Sequence, residues 1–175
     1  MNNSDLKIIC EELIDVFLEA GKLAMEISKR GVKIKIKADQ TPVTDGDLAV
    51  DKILRDKISK LTPKICIISE ETVNLQKKNK NKTFWLIDPI DGTRDYIKKK
   101  DEYTLNAALI VDLKPVLGFV YAPAKKRLFF SYGKNKAYEI YNNEKRKILN
   151  GEKKNTNQII GLTNSDITPN EVINI

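Results

Sequence analysis

The stretch Trp85-Leu86-Ile87-Asp88-Pro89-Ile90-Asp91-Gly92-Thr93 carries the most information in the chain. Its apolar opening reads as a buried strand that delivers Asp88 at its end. Pro89 then starts a turn, and Gly92 lets the backbone approach a ligand closely. Two carboxylates three residues apart on a rigid turn can converge on a hard cation, and the Ile90 carbonyl between them offers a further oxygen. Thr93 adds a hydroxyl, and its neighbouring amides can hold a phosphate oxygen. The same residues also suit an Asx-type turn at a strand end, where Asp and Gly are common for conformational reasons alone.

Upstream, the apolar run Ile65-Cys66-Ile67-Ile68 leads through Ser69 to Glu70-Glu71. If that run pairs with the strand before Asp88, Glu70 arrives beside Asp88; otherwise the two acids are a charged loop. Farther upstream, Thr44 and Asp47 have the spacing of a capping box, Thr at the N-cap and an acid at N3. Capping and chemistry do not exclude each other at that position.

The flanking periodicities set the fold class. From Ser4 to Arg30 the apolar residues Leu6, Ile9, Cys10, Leu13, Val16, Phe17, Ala20, Leu23 and Ile27 recur at helical steps, which predicts one long amphipathic helix. Ser4 is expected to cap it and Gly31 to end it. A second helix is expected from Thr44 to about Leu61, with Val50, Ile53, Leu54, Ile58 and Leu61 inward and Pro63 beyond its end. The period then changes to that of strands, at Ile65–Ser69, Phe84–Asp88, Thr104–Val111, Val116–Tyr121, Leu128–Ser131 and Ala137–Tyr141. Asp112-Leu113-Lys114-Pro115 and Gly133-Lys134-Asn135 read as hairpin turns. Two helices followed by a meander predict an α+β fold, the N-terminal helices packed on a largely antiparallel six-stranded sheet. Residues 142–157 are polar and read as a linker, and Ile159–Leu162 reads as a first strand of something new. The expected organisation is therefore a first domain over residues 1–157 and the start of an α/β domain over residues 158–175. The chain contains no internal repeat.

Composition narrows the chemistry. With 175 residues and 41% hydrophobic content, the chain can build a core. The net charge of +7 comes from 31 Lys and Arg against 24 Asp and Glu, and its lysines cluster in several separate loops. Scattered clusters without interleaved aromatics read as solvated surface and argue against a nucleic-acid track, although they can draw anionic small molecules inward. Histidine is absent, which removes imidazole catalysis and imidazole metal ligation and leaves carboxylates and hydroxyls. Cys10 and Cys66 lie within apolar patterns and read as buried free thiols, with no partner at metal-ligand spacing. No apolar run approaches the length of a membrane span, and the opening residues lack the basic flank of a secretory signal; a cytoplasmic protein is expected.

Taken together, Ser69-Glu70-Glu71 and Asp88-Pro89-Ile90-Asp91-Gly92-Thr93 resemble the paired motifs of the inositol monophosphatase superfamily. Lys37-Ala38-Asp39, Thr41-Pro42-Val43-Thr44 and Asp47 resemble the stretch that opens that family's second helix. Tyr103-Thr104-Leu105-Asn106 and Pro115-Val116-Leu117-Gly118-Phe119-Val120-Tyr121-Ala122-Pro123 extend the similarity across the chain. Lys37-Ala38-Asp39, Ile97-Lys98 and Tyr121-Ala122-Pro123 look closer to the 3'(2'),5'-bisphosphate nucleotidase (CysQ-type) branch than to inositol phosphatases. The resemblance implies a Mg²⁺-dependent phosphomonoesterase acting on a small phosphate ester, adenosine 3',5'-bisphosphate, to give AMP and phosphate. It implies that Glu70, Asp88 and the Ile90 carbonyl bind a first Mg²⁺, and that Asp88 and Asp91 share a second. Thr93, oriented by Asp47, would act with Glu70 on the attacking water. Glu70, Ile90, Asp91, Gly92 and Thr93 would contact the substrate. An all-oxygen ligand set favours Mg²⁺ on its own account.

Family members continue into a second α/β domain that supplies a further aspartate from a Trp-Asp segment. No Trp-Asp occurs here, since Leu86 follows the only tryptophan, and Gly161-Leu162-Thr163-Asn164-Ser165 stands where a Ser-Arg-Ser-His-like run is usual. The expectation is a second domain mostly missing, impaired turnover, and self-association or a complementing second-domain chain. Two alternatives stand beside this reading. One is an inactive phosphatase remnant serving as a basic nucleic-acid-binding or protein-interaction module. Another is an inositol-monophosphatase-type sugar phosphatase. A haloacid-dehalogenase-type nucleophile loop is excluded, because Pro89 occupies the position where that chemistry needs an aspartate.

Overall fold

The computed structural model describes residues 2–72, 81–134, 137–142 and 144–148, the side chains of 145–148 excepted. Helix α1 spans Asn3–Arg30, a three-residue strand β1 Ile34–Ile36 and its antiparallel partner β2 Pro42–Thr44, and helix α2 Asp45–Leu61. Strands β3 (Cys66–Ser69) and β4 (Phe84–Asp91) follow, then a short helix α3 (Thr93–Ile97). The remaining strands are β5 (Thr104–Val111), β6 (Lys114–Ala122), β7 (Arg127–Tyr132), β8 (Ala137–Tyr141) and β9 (Glu144–Ile148). Strands β3 to β9 form one sheet in sequence order; β3 runs parallel to β4 and every later neighbour is antiparallel.

The α+β architecture and all six expected strands are present, with four corrections. The sheet has a seventh strand, because residues 144–148 of the expected linker pair with β8 across a turn at Asn142, whose φ is +50°. The β1–β2 ribbon went unforeseen, since β1 is exposed at every position and carries no burial pattern. Asn2, not Ser4, caps α1: its side chain accepts the Ser4 and Asp5 amides at 2.9 Å each, and Asp5 returns the bond. Cys66 is exposed at the start of the edge strand β3, whereas Cys10 is buried as expected. The domain boundary near 157 and the strand expected at Ile159–Leu162 lie outside the described residues.

Both long helices cover one face of the sheet. Leu6, Leu13, Phe17 and Ala24 of α1 and Val50, Leu54 and Ile58 of α2 meet Trp85, Ile87, Leu105, Leu109, Leu117, Phe119 and Leu128 in one core. Burying each large apolar side chain contributes about 1.5–3 kcal/mol. Phe17 stacks on Phe119 with ring centroids 4.6 Å apart. Trp85 is fully buried and its indole N–H donates to Thr62 Oγ1 at 3.0 Å, so the end of α2 satisfies the one polar atom of the largest core residue. Gly21 of α1 is required by contact, since a Cβ there would lie 2.2 Å from the Tyr121 ring. On the opposite face of the sheet Leu86 and Val120 are 48% and 45% exposed. Packing against the helices thus fixes the strand ends of β3 and β4, where the acidic residues emerge.

Candidate active site

β4 does not stop at Asp88, as the turn reading expected, but continues to Asp91 through a bulge. Asp88 pairs with Asn106 of β5, yet Asp91 pairs with Thr104, so three steps on β4 match two on β5. Pro89 has no N–H to give the ladder, which makes this the place for the irregularity. The bulge decides which way the carboxylates face. Side chains alternate along a regular strand, so residues 88 and 91 would fall on opposite faces. One extra residue brings Asp88 and Asp91 to the open side with Leu86, while Trp85, Ile87 and Ile90 stay buried.

Glu70 reaches the same place by pairing. The parallel register sets Ser69 beside Ile87, and the Glu70 amide continues the ladder by donating to the Ile87 carbonyl at 3.0 Å. The conditional expectation that β3 and β4 are neighbours is met, and Glu70 follows Ser69 as Asp88 follows Ile87. Burial and then the Glu70 charge push the Asp88 carboxyl up to about 7. Among the described residues Asp88 Oδ1 is buried with no hydrogen-bond partner, and so is Asn106 Oδ1 on the adjacent strand. Asn106 Nδ2 meanwhile donates to Asp91 Oδ2 at 3.3 Å.

Asp47 and Thr93 approach from the other side. Thr44 Oγ1 accepts the Gly46 and Asp47 amides, and Asp47 Oδ2 accepts the Thr44 amide at 2.7 Å, which completes the capping box of α2. The other carboxylate oxygen, Oδ1, lies 3.3 Å from Thr93 Oγ1. That hydroxyl also lies 3.0 Å from the Ile90 carbonyl, so one proton has two acceptors to choose between. Asp47 is buried, and burial raises its carboxyl above the ordinary range despite the Thr44 bonds. Gly92 has φ +91°, and a Cβ on it would sit 2.8 Å from the Glu102 carbonyl, so only glycine fits where β4 turns into α3.

Three residues given no role by sequence reasoning belong to this site. Lys37, at the tip of the β1–β2 ribbon, places its ammonium 2.9 Å from Glu71 Oε1 and 3.3 Å from Glu70 Oε1. Burial alone would lower the Lys37 pKa, but the bonds and charges of Glu71 and Glu70 outweigh it and raise it. Glu71 is raised as well, because burial outweighs the attraction of Lys37. Asn106 is a polar interruption on the outer side of an otherwise apolar strand, a signal legible in Thr104–Val111. Ser69 is fully buried directly before the acidic pair.

Among the described residues no three acidic or thiol side chains stand as a ready-made metal cluster. The half-exposed Glu70 is engaged by Lys37, so a cation at Asp88 would compete with that ammonium for Glu70. The donor set nonetheless fits a hard divalent ion. It consists of carboxylate and carbonyl oxygens, it includes the buried unpaired Asp88 Oδ1, and its acids repel one another when ionised.

The inositol monophosphatase family profile matches residues 6–173. The 3'(2'),5'-bisphosphate nucleotidase CysQ of Buchnera aphidicola subsp. Acyrthosiphon pisum is 34% identical over 151 residues, 85% of this chain and 57% of that protein. The crystal structure of CysQ from Bacteroides thetaiotaomicron superposes with a TM-score of 0.61 at 27% identity, over 94% of this chain and 55% of the other. A solved IMPase/NADP phosphatase complexed with Mg²⁺ and phosphate gives a TM-score of 0.61 at 25% identity, over 76% of this chain and 49% of the other. The chain thus spans about half the length of the relatives it matches.

Proposed function

Because the chain belongs to the inositol monophosphatase family, we propose that its acidic strand ends hold Mg²⁺ and serve the hydrolysis of a phosphate monoester. Adenosine 3',5'-bisphosphate, cleaved to AMP and phosphate, is the substrate this reading favours; the Buchnera and Bacteroides relatives, both CysQ by name, support that choice. One observation carries the reading. Among the described residues Asp88 Oδ1 is buried without a hydrogen-bond partner, with the Glu70 and Asp91 charges close by, an arrangement that costs stability unless a cation completes it.

Glu70, Asp88 and the Ile90 carbonyl would hold one ion, and Asp88 and Asp91 a second. When bound, the ions supply charge neutralisation of the phosphate and a water of lowered pKa. Asp47 would orient the Thr93 hydroxyl, and Thr93 with Glu70 would position the attacking water. Gly92 lets the chain turn from β4 into α3 against the Glu102 carbonyl, where a side chain would collide, and so sets the position of Thr93 relative to Asp91. Asn106 holds Asp91 through its amide.

Phosphate release from adenosine 3',5'-bisphosphate tests the proposal. Release that needs Mg²⁺ and is lost in Asp88→Asn is expected. Release indifferent to both would contradict it.

A further inference from the structure

Asp51 is a buried acid that the proposed chemistry does not use. It lies one helical turn after Asp47 on the same inward stripe of α2, with only 4% of its surface exposed. An apolar residue would fill such a position at lower cost, since a carboxylate taken out of water must recover its hydration from partners. Its partners are specific. Asp51 Oδ1 accepts the Ser69 hydroxyl at 2.5 Å, and Oδ2 lies 3.4 Å from the half-exposed Arg55 guanidinium. Ser69 Oγ in turn faces the Glu71 amide at 3.4 Å, and the Ser69 carbonyl accepts the Thr72 amide at 3.1 Å.

These bonds hold Glu70 from both sides. Its own amide is fixed to β4, the preceding residue is tied to α2 through Asp51, and the following amide rests on the Ser69 hydroxyl. Helix α2 therefore reaches both sides of the site: the end of β3 through Asp51 and Ser69, and, just past the end of β4, the first residue of α3 through Asp47 and Thr93. We propose that Asp51 and Ser69 are positioning residues, a buried hydrogen-bonded pair that sets the β3 terminus so that Glu70 stands beside Asp88. The proposal rests on the reading of Glu70 and Asp88 as metal ligands.

The pair would act through placement of Glu70, so divalent-ion affinity of the folded chain is the informative quantity. Mn²⁺ titration followed by electron paramagnetic resonance, well below the melting temperature, reads it without reference to turnover. Ser69→Ala should weaken Mn²⁺ binding by about tenfold, the lower end for loss of an outer-shell partner. Ser69→Thr, which keeps the hydroxyl, should stay within about threefold of the parent, well short of that outer-shell effect. If Ser69→Ala fails to fold, Ser69→Val against Ser69→Thr holds shape nearly constant and changes only the hydroxyl. Asp51→Asn keeps an acceptor oxygen and should behave as Ser69→Thr does. Equal Mn²⁺ affinity in the parent and in every folded variant lacking the hydroxyl would overturn the positioning role. A parent chain that binds no Mn²⁺ would instead bring down the metal reading, and this inference with it.

Discussion

Thr93 Oγ1 lies 3.3 Å from Asp47 Oδ1, joining residues 46 positions apart through the one carboxylate oxygen that the α2 cap leaves available. Asp47 thus caps a helix with one oxygen and reaches the metal turn with the other. Two variants separate these roles. Thr44→Ala removes the cap bonds and should cost about 1 kcal/mol of stability with little effect on turnover. Asp47→Asn should cost a similar amount of stability yet lower phosphate release by orders of magnitude. Equal turnover in the two variants would leave Asp47 with capping alone.

Asp88 gives the metal-free chain a pH dependence of known sign. Its carboxyl is raised by burial and by Glu70 from 3.8 to about 7, so the folded state holds this proton more tightly than the unfolded state. The stabilising contribution is fully present below the unfolded value and is lost as pH rises through the folded one. In the presence of a chelator, the melting temperature of the parent should fall relative to Asp88→Asn as pH is raised across that window. Parallel curves for the two proteins would show that Asp88 ionises without penalty.

Gly92 is held at φ +91° with the Glu102 carbonyl 2.8 Å from where a Cβ would stand. Gly92→Ala should therefore cost about 2 kcal/mol or more, from the left-handed backbone and the contact together. It should also weaken divalent-ion binding, because relief of the contact moves the link between Asp91 and Thr93. A thermal melt checks the first effect and an ion titration the second. A variant indistinguishable from the parent in both would remove Gly92 from the site.

The two thiols should differ sharply in reactivity. Cys10 is buried among α1 core residues, and burial, with a smaller contribution from Glu11, pushes its pKa up to about 12. Cys66 is exposed. At mildly alkaline pH a thiol reagent should modify Cys66 alone and reach Cys10 only on unfolding, since the thiolate is the reactive form. Mass spectrometry of the native reaction counts the modified sites; rapid double modification would contradict the burial of Cys10.

The helices and five of the six expected strands were legible because periodicity reports burial on one face, as in α1, α2 and β4 to β8, while β3 was legible as the apolar, β-branched run Ile65–Ile68. What escaped reading lacked that pattern. β1 is exposed throughout, and β9 is a polar strand paired through its backbone. The extension of β4 past Pro89 was hidden for a different reason: proline and glycine in Asp88–Gly92 signal a turn, while the register shift depends on β5. The acidic motifs identified Glu70, Asp88 and Asp91, but a motif cannot show which neighbours tertiary packing supplies. Lys37, Asp51 and Asn106 are separated from those acids by tens of residues or sit on another strand, and only the fold brings them together.

The most direct measurement is the melting temperature of the parent and of Asp88→Asn as Mg²⁺ is raised into the millimolar range. A cation that binds only the folded carboxylate cluster stabilises it by mass action, about 2.7 kcal/mol at a hundredfold excess over its dissociation constant. The account predicts a melting temperature that climbs with Mg²⁺ in the parent and stays nearly flat in Asp88→Asn. A parent curve that does not move with Mg²⁺, or an equal rise in both proteins, would contradict it.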